Sequence, residues 1–494
     1  MIHTACTVHI MSTAHQPRTG PVVGVLAFAG IVVALMQTLV VPLIPQLPTL
    51  LHASASNASW AITATLLAGA IATPVLGRLG DMYGKRRMLL VSLALLVAGS
   101  VVCALADSLT PMVIGRVLQG CAMGVIPLGI SIMRDELPPE KLGSSMALMS
   151  SSLGVGGAFG LPGAAAIAEH ASWHVLFWVS GGVGAVAIGL VLLVVPESPL
   201  RGGGHFDLPG AAGLSAGLLS LLLAISKGAD WGWGSGTTLG FFGAAVVILL
   251  VWGRWELSTA EPLVDLRTTA KRPVLLTNLA SIVVGFALYS MSLVLPQLLE
   301  LPKATGYGLG QSMLAAGLVM GPSGLVMMAV SPISARVSAA RGPKVSLMIG
   351  AVIMGAGYGF GVLLMDAVWQ LLVVSSVIGA GIAFAYASMP ALIMSSVPPS
   401  ETAAANGLNA LMRSIGTSSS SAVVGVVLAH MTTTFGTTTL PSESGFRTAL
   451  IIGGAAAVMA LAITAFIPGR RQPTLSAAGD PAATAQVPDH TPAT

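Results

Sequence analysis

Charge is what this sequence has least of. Of 494 residues only 8% are charged, 22 Lys and Arg against 18 Asp and Glu, about a third of the share in an ordinary soluble domain. So few charges cannot solvate a water-facing surface of this size, which excludes a cytosolic enzyme or a nucleic-acid binder. Cysteine is scarce too. Cys6 lies in the amino-terminal tail, and Cys103 and Cys121 lie inside apolar runs, so neither a disulfide framework nor a cysteine metal site is expected. No Gly-x4-Gly-Lys-[Ser/Thr] loop occurs, which argues against direct energisation by ATP. No apolar run carries a His/Asp/Glu cluster at ligand spacing or a paired acid and base, so the chain reads as a non-enzyme without metal or other cofactor. The residues before Pro21 are polar and lack a short apolar core with a cleavage site, so no removable signal peptide is expected, and Met11 is an alternative start to Met1.

What the chain has in abundance is apolar sequence, 54% of residues with a mean hydropathy of +0.87. Runs of the roughly 20 residues needed to cross a hydrocarbon core fall at 21–45, 59–77, 88–106, 111–133, 143–168, 173–195, 208–226, 237–253, 273–296, 311–334, 345–365, 369–394, 404–430 and 446–468. The expectation is an all-α integral membrane protein with about fourteen transmembrane helices. Beyond Pro468 the chain turns to Ala, Thr, Pro and Asp and is too polar to order itself. With the amino terminus inside, 17 basic residues fall in inside segments and three, Lys227, Lys303 and Arg447, in outside loops. Under the positive-inside rule this places both termini in the cytoplasm, and the pI near 9.1 is mainly a topology signal.

The chain also repeats itself. Arg78 and Gly84 are six apart, as are Arg336 and Gly342, with the two glycines 258 residues apart. Asp107 and Asp366 each precede a glycine by 13 residues, at an offset of 259, and Ala-Leu-Met recurs at Ala147 and Ala410, at an offset of 263. This predicts a cytoplasmic tail 1–20, a six-helix bundle 21–195, a segment 196–272 of loops and two inserted helices, a second six-helix bundle 273–468, and a disordered tail 469–494. Duplicated halves around a midplane site are a common transporter plan.

The most specific string is Gly77-Arg-Leu-Gly-Asp81-Met-Tyr-Gly84-Lys85-Arg86-Arg87. It resembles the loop between the second and third helices of the major facilitator superfamily, where its glycines, aspartate and basic cluster act as a gate. Met82 stands where that pattern usually has a basic residue. Arg116, with Gln119 and Gly120, resembles the family's intramembrane arginine motif; a guanidinium near a helix centre costs about 2.5–3.5 kcal/mol on insertion scales and so demands a cavity or a partner. Gly154, Gly157, Gly160 and Pro162 resemble the antiporters' glycine and proline motif in a degenerate spacing, and are equally readable as ordinary close packing of helices. Asn406, Asn409 and Arg413 share one helical face at i, i+3 and i+7.

With fourteen spans and the phrases Phe206-Asp-Leu-Pro-Gly210 and Glu261-Pro-Leu-Val-Asp-Leu266, the resemblance is to the fourteen-helix drug:proton antiporter branch of that superfamily. It implies the major facilitator fold and proton-driven export of lipophilic compounds, often antibiotics, across a bacterial plasma membrane by a monomer. Gln37, Arg116, Gln119, Asn406, Asn409 and Arg413 are the expected substrate and coupling residues. That branch commonly carries an aspartate in its first helix; here Met36 holds the place, within Leu35-Met36-Gln37-Thr38. With no carboxylate near mid-span, the candidates for a proton site are Asp135, Glu136 and Glu300, with His430 as a further titratable group. Arginine stays protonated and cannot serve. Two embedded arginines favour neutral or anionic cargo. The alternatives are a small-solute importer of the same fold and a transport-dead membrane sensor.

Overall fold

A computed structural model describes residues 19–40, 43, 46–198, 205–435 and 438–468. Most of the two tails, together with Arg201, lies outside the described residues. Fourteen helices among them are long and apolar enough to cross a membrane. They are α1 Thr19–Thr38, α2 Trp60–Tyr83, α3 Lys85–Ala104, α4 Leu109–Glu136, α5 Pro139–His170, α6 His174–Val194 and α7 Leu208–Trp231. The remainder are α8 Gly236–Ser258, α9 Arg272–Glu300, α10 Met313–Arg341, α11 Pro343–Leu363, α12 Val368–Met394, α13 Thr402–His430 and α14 Glu443–Ala465.

Several helix ends depart from the sequence expectation for local reasons. α1 stops at Thr38 rather than continuing to residue 45, where prolines at 42, 45 and 48 each remove a ladder donor. α2 runs six residues past its expected end, through the Gly-Asp motif, and stops at Gly84. That residue has φ +116°, and a Cβ there would meet the Glu197 carboxylate at 2.6 Å, so glycine is required twice over. The sequence reading missed a two-stranded ribbon between α13 and α14, Thr432–Phe435 paired antiparallel with Thr438–Pro441. Its threonines are β-branched and favour extended backbone.

Packing follows the duplicated sequence. α1 packs on α5 and α6, α2 on α4, and α3 on α4 and α6; α9 packs on α13 and α14, α10 on α12, and α11 on α12 and α14. Each pair in the first set recurs in the second with both members displaced by eight. The halves meet where α5 packs on α10 and α12, and where α2 and α4 pack on α13. The extra pair is placed asymmetrically. α7 packs on α8 and also covers the α2–α13 seam through Leu214, Leu218 and Leu222, whereas α8 leaves Val246, Val247, Leu250 and Val251 exposed, as a lipid-facing helix should.

Candidate functional site

Three groups of polar side chains lie inside the bundle, and they differ in what they join. The first sits at the end that carries the basic loops, here the basic face. The Asp81 carboxylate, 0% exposed at the end of α2, accepts from the backbone N–H groups of Ala403 (3.3 Å) and Ala404 (2.9 Å). These are free donors in the first turn of α13, so an acid from one half caps a helix of the other. Gly77 makes the approach possible: a Cβ there would lie 2.6 Å from the Ala403 carbonyl oxygen. Lys85 is also 0% exposed, with its Nζ 2.6 Å from Asp135 and 3.7 Å from Asp81. Asp135 further accepts from the Ser198 hydroxyl.

Arg86 and Arg87 turn elsewhere. The Arg86 side chain donates to the Leu192 carbonyl (2.6 Å), and Arg87 pairs with Glu197 at 3.8 Å, so both are held by the α6 end of their own half rather than by the opposite half. A second cross-half clamp comes from Arg134, one of the 17 basic residues that fall in inside segments. It donates to Thr402 Oγ1 and to the carbonyls of Met394 and Val397, both at 3.1 Å.

The second group is buried in the amino-terminal half. Arg116, 2% exposed, donates through Nε to the Ala61 carbonyl (2.8 Å) and through Nη1 to Gln119 Oε1 (2.7 Å), the Met36 carbonyl (3.4 Å) and Met36 Sδ (3.6 Å). Gln119 Nε2 donates on to Ser100 (2.8 Å), whose hydroxyl lies 3.3 Å from that of Ser180. The chain of contacts ties α1, α2, α3, α4 and α6 together. Arg116 and Gln119 were expected to line or support the cavity. Carbonyl, amide and thioether acceptors within one half take up the Nε and Nη1 donors of Arg116, and neither residue is among those that line the central cavity. Met36, in the place of the acid, keeps the contact without a charge. Gln37 is half-buried on α1 and is also absent from that wall.

The third group lines a cavity between the halves. One wall is Ile126, Pro127 and Ile130 of α4 with Ser150 and Leu153 of α5; the other is Tyr386 and Pro390 of α12 with Asn406, Asn409, Ala410 and Arg413 of α13. Its volume is about 10 Å³, room for about one water, so the halves are drawn together around it. Asn409 donates to Asn278 Oδ1 (3.0 Å) and Ser281 (2.5 Å) on α9, and Asn406 to the Thr402 carbonyl (2.9 Å). Arg413 stacks on the Tyr386 ring, 4.8 Å from its centroid. Tyr386, Asn278 and Ser281 escaped the sequence reading; the one available signal was a tyrosine set among small residues in Ala383-Phe-Ala-Tyr386-Ala-Ser388. A larger cavity of about 400 Å³ opens at the basic face beneath the α8–α9 connection, between Arg78 on one side and Ser400, Glu401 and Ala404 on the other.

The glycine stretch of α5 is a packing surface with an error in the expected register. Gly154 approaches α10 so closely that a Cβ on Gly324 would lie 2.0 Å from its carbonyl oxygen; Gly160 faces Thr38 of α1, and Pro162 faces Gly317. Gly157 meets nothing within 4 Å, because it lies on another side of the helix, and Gly156 takes its place against Ala34. The peripheral acids do not meet the cavity: Asp135 is paired with Lys85, Glu136 is half-buried at the same end of α4, and Glu300 is exposed at the end of α9. His430 is exposed at the end of α13 and approaches the Val426 carbonyl at 3.0 Å. Among the described residues, no three His, Cys, Asp or Glu side chains gather to hold a metal ion.

Comparison with known proteins agrees with this arrangement. The Tetracenomycin C resistance and export protein of Streptomyces glaucescens is 28% identical over 484 residues, 94% of this chain and 88% of its own length. Multidrug resistance protein 3 of Bacillus subtilis (strain 168) is 25% identical over 384 residues, 76% of this chain and 73% of its own. The crystal structure of the human organic anion transporter MFSD10 superimposes with a TM-score of 0.64 at 16% identity, over 91% of this chain and 100% of that one, which is a likeness of fold. A model of the Major Facilitator Superfamily matches residues 26–421. With the duplicated packing, the Gly-Asp motif bridging the halves and the cavity on their seam, that match places the chain in the Major Facilitator Superfamily.

Proposed function

We propose that the protein is a secondary active transporter that exports lipophilic small molecules, a reading supported by its similarity to a Tetracenomycin C resistance and export protein and a multidrug resistance protein. The observation that carries this reading is a cavity on the seam of two repeated bundles, polar on one wall and apolar on the other. Rocking the halves would expose it to each side in turn. The moving bodies are residues 21–195 and 273–468, with the segment 196–272 between them. Asp81 with Gly77, Gly84 and Lys85, supported by Arg134, forms the gate at the basic face, with Arg86 and Arg87 anchoring that loop to its own half. The basic face is cytoplasmic, as the 17-to-3 distribution of Lys and Arg supports. Export is driven by protons and the working unit is the monomer. With no acid in the central cavity, the proton is taken up at Asp135, Glu136 or Glu300. Arg413, Asn406 and Asn409 hold the cargo, and Arg116 with Gln119 keeps the amino-terminal half rigid against it.

Two measurements test this. Cells carrying the gene should tolerate at least one lipophilic antibiotic at several-fold higher concentration than cells without it, and Arg413→Ala should abolish the difference at equal protein level. In inside-out vesicles the same compound should accumulate when a proton gradient is imposed. Uptake in right-side-out vesicles instead would identify an importer, and no movement in either would identify a sensor.

A further inference from the structure

The central cavity holds more hydrogen-bond donors than its surroundings satisfy. Tyr386 is 2% exposed and its hydroxyl has no partner among the described residues; neither has Asn278 Nδ2, which lies behind Asn409 and outside the cavity lining. Arg413, half-buried on the seam, rests on the Tyr386 ring and enters no ion pair or hydrogen bond among the described residues. A guanidinium offers five N–H donors in a planar fork and no acceptor. Buried donors without acceptors are costly, and native structures carry few of them. The cavity lining contains no carboxylate. We infer that Arg413 and Tyr386 form a two-point grip for an acidic oxygen, a carboxylate or phenolate, carried on an apolar aromatic body, so that the preferred cargo is a weakly acidic aromatic amphiphile. This inference rests on the export reading above and deepens it.

The arrangement of the two walls sets how such a molecule sits. The unpartnered Tyr386 hydroxyl and the Arg413 guanidinium belong to α12 and α13, both in the carboxy-terminal half, while the facing wall from α4 and α5 is apolar apart from Ser150. The acidic oxygen therefore points to α12 and α13, and the rings lie against Ile126, Pro127 and Leu153. Because α12 and α13 are in one half, the grip stays assembled when the halves separate and the 10 Å³ space widens. A carboxylate matches the guanidinium fork with two parallel hydrogen bonds. A quaternary ammonium would meet a fixed positive charge, and the Tyr386 face that could attract it is already covered by Arg413.

The test uses the full chain in nanodiscs and three fluorescent probes on one ring system: anthracene-9-carboxylate, its methyl ester, and the trimethylammonium-methyl derivative. Wild type should bind the acid about tenfold or more tightly than the ester, and the cation most weakly, as expected for a charge-assisted hydrogen bond. Tyr386→Phe keeps the ring and should weaken acid binding about tenfold while changing ester binding less than twofold, the difference being one hydroxyl donor. Arg413→Gln should erase the preference for the acid, and Arg413→Lys, which keeps the charge but not the fork, should restore part of it. Ester binding and the melting temperature report folding in each variant. Equal affinity of wild type for acid and ester, or a parallel loss of both in Tyr386→Phe, overturns the grip. If purified protein prefers the acid but cells with and without the gene accumulate the probe equally, the grip stands and the export reading fails.

Discussion

Arg116 and Arg413 each bring a permanent charge into an apolar helix, and the two are accommodated differently. Arg116 is surrounded by acceptors: two carbonyls, an amide oxygen and a thioether. Arg413 has an aromatic face and an empty fork. A charge whose acceptors all lie in its own half is suited to rigidity, and one without acceptors on a seam is suited to a ligand. Gln119 is the distinguishing partner, because it accepts from Arg116 and donates to Ser100. Gln119→Leu should destabilise the protein by about 1–3 kcal/mol, the cost of leaving a buried donor unpaired, read as a lower melting temperature in detergent. Gln119→Glu retains an acceptor for Arg116 and should lose less. Equal losses would show that the amide is not what holds the guanidinium.

Helices, their number and their pairing were the most legible level of this sequence, since a lipid environment leaves the backbone few alternatives to closed hydrogen-bond ladders. Fourteen expected spans correspond to fourteen helices among the described residues, with ends displaced where proline or a positive-φ glycine intervened. Faces were less legible. Small residues every third or fourth position mark close contact, but Gly154, Gly156, Gly157 and Gly160 look alike in a string, and only the rotation of α5 against α1 and α10 separates them. Tyr386 stayed hidden for the same reason: its role depends on Arg413, 27 residues away on another helix. The helix interface gives a paired prediction. Gly324→Ala would place a methyl group 2.0 Å from the Gly154 carbonyl oxygen and should force α5 and α10 apart, with loss of export and a lower melting temperature. Gly157→Ala, on α5 near Gly154 but with open space around it, should leave both unchanged or add up to about 1 kcal/mol through helix propensity. Equal effects of the two would remove the assigned register.

The two halves are joined at the basic face by two clamps of different chemistry that both end near the start of α13. Asp81 offers charge-assisted hydrogen bonds to the N–H groups of Ala403 and Ala404, and Arg134 binds Thr402 and the chain before it. Hydrogen bonds to charged groups contribute about 1.5–3 kcal/mol each, and a shift of 1.4 kcal/mol changes a two-state population about tenfold. Removing Asp81 and its two bonds should therefore open the basic face by at least about two orders of magnitude, with Arg134 holding part of the remainder. A cysteine at Ala410, on the wall of the central cavity, reports this in a background in which Cys6, Cys103 and Cys121 are replaced by serine or alanine. Its labelling by a membrane-impermeant maleimide supplied to the basic face should be slow in the parent and about 100-fold faster with Asp81→Ala. Arg134→Ala should accelerate it less, and the double variant should exceed both. If labelling from the opposite face rose equally, the substitution would be loosening the whole bundle rather than releasing one gate. If neither face changed, the contacts at α13 would not be what keeps the halves together.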